Sequence, residues 1–510
     1  MSPYGRFIIS FDLGTSSFKA ALYDQKGSLV AKEMQSLSIH YPQAGWAEQD
    51  PEQWWALAQT LVKALKAKNK LQNDQISALV FTTQMCSTIA IDEDGTPLTS
   101  AISWLDTRSE DLVKQKVRGI FNLFGYGLRA VLEWLYICRG APNLSGKDPF
   151  SKYLWIKEKR PDIWMKTRYC LDAKDFLLFK CTHQAKTSPD SAFFTWLVNF
   201  KTRKWSDYLI RRNGFERTKL PDIVEPTTLI EGGLSVDAAK HLDLQAGTSV
   251  AIGLGDITST ALGSGATLNG KPHLYFGTSN WAAAHIPSPK VSPFTYIGSI
   301  CSAFSNRSLL IAAQENAGNI LETMTSFLTD GSSVRAFFSL AEQSSPGANG
   351  VMFMPWLNGE RAPVDDSNIR GGFLNIGPTT TKADMARAVI EAIVYNQFWA
   401  TGYLFKMAKN NQPTDIPVVG GLAQSDLLMQ TLADVFQTSF IRSHNPQWAG
   451  TRGGYCCAAS ALGWYSDLDQ ACALKEATTT FHPNHAQADC HQKRFIRFKK
   501  AYKQVRGWYK

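Results

Sequence analysis

One short pattern occurs twice in this chain and constrains it more than anything else. Gly14-Thr15-Ser16-Ser17-Phe18-Lys19-Ala20-Ala21 and Gly277-Thr278-Ser279-Asn280-Trp281-Ala282-Ala283-Ala284 share Gly-Thr-Ser, an aromatic residue and Ala-Ala at equal spacing. Each copy lies between two runs that read as β-strands, FIISFDLG and FKAALYD in the first half, HLYF and NWAAAHI in the second. A strand, tight turn and strand repeated in both halves predicts two related domains, and we place their boundary at residue 250, giving 1–250 and 251–510. The remaining periodicity agrees. Asp50 can cap a helix with Pro51 in its first turn and Trp54, Trp55, Leu57, Ala58, Leu61 and Leu65 on its apolar face. GSLVAKEMQSLSI and ISALVFTT read as strands, and AIDEDG followed by PLTSAISW reads as a hairpin. In the second half SVAIGLGD and IPVVGG are strands, while MARAVIEAIVYNQFWATGYLF, with Asp384 near its start, and LLMQTLADVF are helices. Strands followed by helices within each unit define an α/β class.

Composition then excludes several functions. At 510 residues and 44% hydrophobic, the chain can bury large cores and is neither disordered nor fibrous. The net charge of +9 is local, because Lys493, Arg494, Arg497, Lys499, Lys500, Lys503, Arg506 and Lys510 lie together with no acidic residue among them. A protein-wide basic field of the kind that follows nucleic acid is therefore absent. In the same segment Phe495, Phe498, Tyr502, Val505 and Tyr509 form one helical stripe, so it reads as a last helix docked by its aromatic face with a solvated basic side, the competing role being contact with a membrane surface or an acidic partner. Nine cysteines without a C-x-x-C pair predict a reduced, cytoplasmic protein. His485, Cys490 and His491 lack the spacing of a zinc site. No signal peptide is visible, and no run of about 18 apolar residues predicts a membrane span. Residues 119–138, the most apolar stretch, carry Arg129 and Glu133 and read as an amphipathic helix in a lid or against a partner.

The repeated turns have a chemical use. Glycine admits an anion close to the backbone, successive N–H groups form a donor nest and the hydroxyls add donors, so two such turns could hold a polyphosphate, although an ordinary hairpin gives the same pattern. Asp12, just before the first turn, could hold Mg²⁺ through water, and Lys19 could neutralise phosphate charge. Asp256 follows Gly253-Leu254-Gly255 at the end of a buried strand and reads either as a general base or as a helix cap. Asp106 and Arg108 could bind sugar hydroxyls or pair with each other. Gly420-Gly421 could admit an adenine ring or merely turn the chain. No G-x-x-x-x-G-K-[ST] or G-x-G-x-x-G motif is present, which excludes a P-loop ATPase and a Rossmann dehydrogenase.

Taken in order, these segments resemble the FGGY family of carbohydrate kinases within the actin-like ATPases, closest to its xylulokinase branch. FDLGTSSFKAALYD resembles the family's first phosphate turn, TTQMCSTIAIDEDG and AISWLDTRS its sugar-site strands, GLGDITSTALGSGA its catalytic-base motif and YFGTSNW its second phosphate turn. FMPWLNGERAPVDDSNIRGGFLNI resembles the signature region and VVGGLAQSDLLMQTLADV the adenine site. The resemblance implies two ribonuclease-H-like domains with an interdomain cleft, binding MgATP and transferring its γ-phosphoryl group to a hydroxyl of a sugar, a pentulose such as xylulose. It implies Asp256 as base, Asp12 near Mg²⁺, and Thr15, Ser16, Lys19, Thr278, Gly318, Gly421 and Ser425 as nucleotide contacts. Gln84, Met85, Trp104 and Asp106 fall with Asp256 on the sugar side, and family members are often dimers. Departures bear on the sugar. Cys86 stands where xylulokinases carry His and Ile257 where they carry Asn, removing two polar partners. Asn375 and Leu422 stand where the family favours glycine. With both turns and both aspartates retained, the reading is a kinase; the altered sugar-side positions leave a non-catalytic sugar or nucleotide sensor as the alternative.

Overall fold

The structure, a computed structural model, describes residues 6–123, 125–473 and 476–509; Phe124 of the apolar stretch and Lys510 of the basic segment lie outside the described residues. The chain divides into two compact units, Met1–Gly263 with Ile300–Arg307 and Gly450–Leu474, and Ser264–Ser299 with Ser308–Ala449 and Lys475–Lys510. The first unit thus runs beyond residue 250 and takes Asp256 with it. Backbone pairing is the reason, since the strand leading to Asp256 lies in the first unit's sheet.

That sheet is built from β1 (Phe7–Leu13), β2 (Ser17–Asp24), β3 (Leu29–Ser36), β4 (Ile76–Thr83) and β5 (Ser249–Gly255), in the order β5–β4–β1–β2–β3. Antiparallel pairing joins β1 to β2 and β2 to β3, and parallel pairing joins β1 to β4 and β4 to β5. The helix Pro51–Asn69 begins as its sequence dictates: the Asp50 side chain accepts from the Glu52 N–H and Pro51 occupies the first turn. Its Trp54, Trp55, Ala58, Leu61 and Leu65 join a core containing Phe11 stacked on Phe81. The hairpin expected over residues 90–104 forms: Asp92 N–H bonds to Thr96 O at 3.1 Å, Leu98 N–H to Ala90 O at 2.8 Å, and Ile102 exchanges N–H···O bonds with Thr88. Its arms also pair outward, Ile89–Ile91 with Tyr169–Leu171 and Ala101–Ile102 with Glu48–Gln49.

In the second unit six strands of an eight-stranded sheet repeat and extend the plan. They are β6 (Pro272–Phe276), β7 (Asn280–Ile286), β8 (Ser308–Gln314), β9 (Ile416–Val419), β10 (Phe440–Ser443) and β11 (Thr478–Phe481), in the order β8–β7–β6–β9–β10–β11. Pairing is antiparallel for β6/β7 and β7/β8 and parallel for β6/β9 and β9/β10, matching the first unit strand for strand. The repeated Gly-Thr-Ser motif is the first hairpin turn of each sheet, closed by Gly14 N–H to Ser17 O and by Gly277 N–H to Ser279 O, both 2.9 Å. Lys382–Ala408 is the long helix, started by a reciprocal cap between Thr381 and Asp384.

The last helix, Ala488–Val505, buries Phe498, Tyr502 and Val505 as its stripe predicts, but Arg494 is buried too and pairs with Glu391 at 3.2 Å. The apolar stretch contains the helix Leu128–Ile137, which buries only Trp134 and leaves Leu132 and Tyr136 exposed. No helix among the described residues is long and apolar enough to cross a membrane, and no disulfide joins the nine cysteines.

His273 on β6 is buried, and neither ring nitrogen has a hydrogen-bond partner. Burial, with His285 nearby, pushes its pKa down to about 3. Below pH 6.5 the unfolded chain therefore takes up a proton that the folded one refuses, and stability falls with pH. His273→Leu should weaken that acid dependence and raise the Tm by roughly 2–4 °C at pH 5, measured by thermal melts from pH 8 to 5.

Candidate active site

Asp256 opens the helix Asp256–Gly263 directly after β5. One oxygen accepts from the Ile257 N–H at 2.8 Å, and the side chain remains partly exposed. Burial is the main cause that pushes its pKa up to about 8; Asp12, Asp172 and Asp190 add to it, and the Ile257 N–H opposes them. Two close approaches fix the preceding residue. Gly255 donates its N–H to Asp190 Oδ2 at 2.9 Å, and a Cβ at Gly255 would stand 2.3 Å from Met85 Sδ. Only glycine allows Met85 to lie there.

Asp12, on β1, receives a hydrogen bond from Lys19 Nζ across the hairpin at 3.2 Å. The helix Ala449–Ala461 starts opposite, where a Cβ on Gly450 would come within 2.7 Å of Asp12 Oδ2. Only glycine at 450 lets the helix start this close to the carboxylate. Asp12 also lies at the positive end of that helix. Among the described residues no group of three or more His, Cys, Asp or Glu could hold a metal unaided. A single carboxylate is a donor set that would hold Mg²⁺ through water, the usual mode for this ion.

The sugar-side residues divide. Gln84 donates to Gln49 at 2.6 Å and leaves its own carbonyl oxygen buried without a partner, while Met85 lies under Gly255. Trp104 donates its indole N–H to Thr15 Oγ1 at 3.0 Å, tying this side to the first turn. Asp106 is different. It is fully buried, accepts from the Ala47 N–H and is gripped by Arg108, whose guanidinium also stacks on Trp46. The pairing with Arg108 that the sequence allows is thus formed.

In the first turn Ser16 is exposed and Thr15 is engaged by Trp104. In the second unit Thr278 is exposed, and its carbonyl and that of Gly277 accept the N–H groups of Asn319 and Gly318 at the start of Gly318–Leu328. Gly318 is required there, since a Cβ would stand 2.5 Å from Gly277 O. Gly420 adopts φ +101° with its Cβ direction blocked by Phe276 O, whereas Gly421 faces open space. Ser425 caps the helix Asp426–Phe436 by accepting from Leu428. Asn375 adopts φ +63°, which explains a glycine preference at that position and why asparagine serves.

Sequence reasoning missed four residues around Asp256 and Asp12: Lys152, Asp172, Asp190 and Gly450. It also missed a buried network in the signature region, in which Glu360 accepts from Asn396 and from the Glu315 and Arg361 N–H groups. Asp172 had a local signal, the capping pair with Asp175 ahead of Ala173–Thr182. Lys152 had another, a lone lysine inside the apolar run PFSKYLWI.

This is the arrangement of a phosphotransferase with an alcohol acceptor: a carboxylate of raised proton affinity in the same unit as a metal-competent aspartate beside a glycine-rich turn. Family models describe residues 7–263 as the N-terminal and 274–462 as the C-terminal domain of FGGY carbohydrate kinases, and the chain belongs to that family. It is 27% identical over 507 residues to a xylulose kinase of Staphylococcus epidermidis, covering 98% of this chain and 97% of that one. A gluconokinase of Bacillus subtilis is 28% identical over 478 residues, covering 90% and 87%. Among solved structures, a ligand-bound xylulose kinase and a gluconate kinase, both from Lactobacillus acidophilus, superpose with TM-scores of 0.87 and 0.86 at 26% identity and 99% coverage of both chains. These relatives support the xylulokinase branch and the actin-like ATPase fold.

Gly450→Ala would drive a methyl group into Asp12. Acceptor-dependent ADP release should fall at least about tenfold while the far-UV spectrum is retained; full activity would show that this close approach to Asp12 is not needed.

Proposed function

We propose that the chain transfers the γ-phosphoryl group of MgATP, bound between its two domains, to a hydroxyl of a pentulose such as xylulose, with Asp256 as the general base. The observation that carries this reading is the position of Asp256: it follows β5 directly, opens the next helix and spends only one oxygen on the Ile257 N–H, so a carboxylate oxygen is left to accept a proton. Burial and the neighbouring Asp12 push its proton affinity up in the metal-free protein, in the direction a base needs. Asp256 accepts the hydroxyl proton as the new oxygen–phosphorus bond forms. Mg²⁺ neutralises phosphate charge when bound with the nucleotide. Asp12 holds it through water, and Lys19, Ser16 and Thr15 serve the first phosphate turn. Thr278, Gly318, Gly421 and Ser425 take the nucleotide on the second unit, and Gln84, Met85 and Trp104 take the acceptor. Nine cysteines with no disulfide favour the cytoplasm, and assembly as a homodimer follows the family pattern.

The relatives include gluconate as well as xylulose kinases, so D-xylulose and D-gluconate head the acceptor panel. The test is coupled ADP release with MgATP across ketopentoses, aldonates, polyols and ketohexoses, with a control lacking acceptor. A rate that rises with D-xylulose or another pentulose upholds the reading, and a rise with gluconate alone replaces the pentulose. Nucleotide binding without acceptor-dependent turnover supports the sensor instead.

Asp256→Asn should lower turnover by at least about a thousandfold with nucleotide binding intact; activity within about tenfold of wild type would remove Asp256 as base. The same change has a thermodynamic signature. Between the ordinary aspartate pKa and about 8, the folded protein holds a proton that the unfolded chain releases, so this group costs stability as pH rises. In metal-free protein at pH 8, Asp256→Asn should raise the Tm by roughly 2–4 °C.

Cys86 adopts φ +67°, a conformation that histidine tolerates. Cys86→His with Ile257→Asn should raise kcat/KM for D-xylulose about tenfold or more relative to gluconate. An unchanged acceptor profile would remove these positions as determinants of choice.

A further inference from the structure

The loop joining β4 to Ile89–Ile91 carries Gln84, Met85 and Cys86, and it is pinned residue by residue. Gln84 N–H bonds to Leu13 O at 2.6 Å, and Met85 packs beneath Gly255. Cys86 is held in the left-handed region at φ +67°, which a non-glycine residue adopts only when its surroundings impose it. Two buried charges impose it. Asp172 Oδ2 accepts from the Cys86 N–H at 3.2 Å, and Oδ1 accepts from the Ser87 N–H at 2.9 Å and the Ala173 N–H at 2.8 Å. On the other side Lys152 Nζ donates to the Cys86 carbonyl. Lys152 is completely buried and Asp172 is 8% exposed, so both charges carry a large desolvation cost that the backbone bonds offset only in part.

We propose that Asp172 and Lys152 form a clamp on the Cys86 peptide that positions the acceptor loop and thereby sets acceptor affinity, neither of them touching the reacting atoms. The proposal rests on the kinase reading for its kinetic consequence, but not for its structural one. A carboxylate is needed at 172 because Cys86 and Ser87 each present an N–H to a different oxygen. An asparagine keeps the shape and one acceptor, but turns its NH₂ group toward one of those donors.

The clamp is sensitive to protons. The groups facing Asp172 are Lys152 and Tyr153 on the helix Pro149–Lys159, Lys174 and Asp175 on its own helix, Cys86 on the loop and Asp256 on the helix after β5. Burial and Asp175 push Asp172 up to about 7, against the Ala173 N–H, Lys174 and Lys152. As pH falls through that region the carboxyl gains a proton, loses an acceptor and loosens the loop, so the acceptor KM should rise on the acid side.

The experiment compares wild type, Asp172→Asn and Lys152→Gln. Acceptor and ATP KM are measured from pH 6 to 8.5, and alkylation of Cys86 by iodoacetamide is followed by peptide mass spectrometry in acceptor-free and nucleotide-free protein. For Asp172→Asn the acceptor KM should rise at least about tenfold, with the ATP KM within about threefold. The acid limb of the acceptor KM should disappear, and Cys86 alkylation should accelerate at least about fivefold. An unchanged acceptor KM, or a loss confined to kcat, overturns the proposal. If Asp172→Asn does not fold, Lys152→Gln decides by the KM ratio and the alkylation rate. If the wild type phosphorylates no acceptor, the kinase reading fails, and the clamp is still judged: unchanged Cys86 reactivity overturns it and faster reactivity upholds it.

Discussion

Like charges crowded at the ends of parallel strands are the constraint on which the first unit depends. Asp12 ends β1, Asp256 follows β5, and Asp172 and Asp190 enter from helix starts; each of these three raises the proton affinity of Asp256. Such a group is sustainable only if its members are engaged separately. Lys19 engages Asp12, the Gly255 N–H engages Asp190, and three N–H groups engage Asp172. Asp256 has only the Ile257 N–H. It is the member whose proton affinity rises as a result.

Glycines make the crowding possible. Gly255 admits Met85, Gly450 lets its helix approach Asp12, and a Cβ on Gly453 would stand 1.9 Å from Ser259 O. The helix Ala449–Ala461 thus lies closer to its neighbours than any residue with a side chain would allow. The second unit uses the same sheet with a different interior. Where the first gathers carboxylates, the second links Asn280, Gln314, Gln397 and Asn396 through amide hydrogen bonds that stabilise its first hairpin. One topology therefore supports crowded carboxylates in one copy and an amide network beside the first hairpin in the other.

Much of this was legible because it is local. The two Gly-Thr-Ser turns, the Asp50 cap and the long helix after Thr381 depend on residues within a few positions of one another, which is the range over which propensity and capping act. Asp12 and Asp256 were legible because a carboxylate at the end of an apolar strand needs a reason to be there. The surroundings of Asp256 were not legible. Lys152, Asp172, Asp190 and Gly450 lie far apart in sequence and converge only through sheet order. The same holds for the extension of the first unit past residue 250, which follows from the parallel register of β5 on β4. Asp106 beside Arg108 was legible as a pair, but its complete burial, with the Ala47 N–H on one oxygen, was not. Arg494 is a smaller instance, a basic residue of a solvated-looking face drawn inward by Glu391.

The discontinuity of the first unit has a consequence for biosynthesis. Its closing helix, which carries Gly450 to Asp12, is made about two hundred residues after the last strand of its sheet, at the pace of the ribosome. Until that helix emerges, Ser10 and Thr82 on the sheet lack the close backbone cover that Gly454 gives them. The nascent chain must therefore carry an incomplete N-terminal unit while nearly all of the second unit's strands are made. A chain truncated before residue 450 would lack the closure of the Asp12 site as well as part of the second unit.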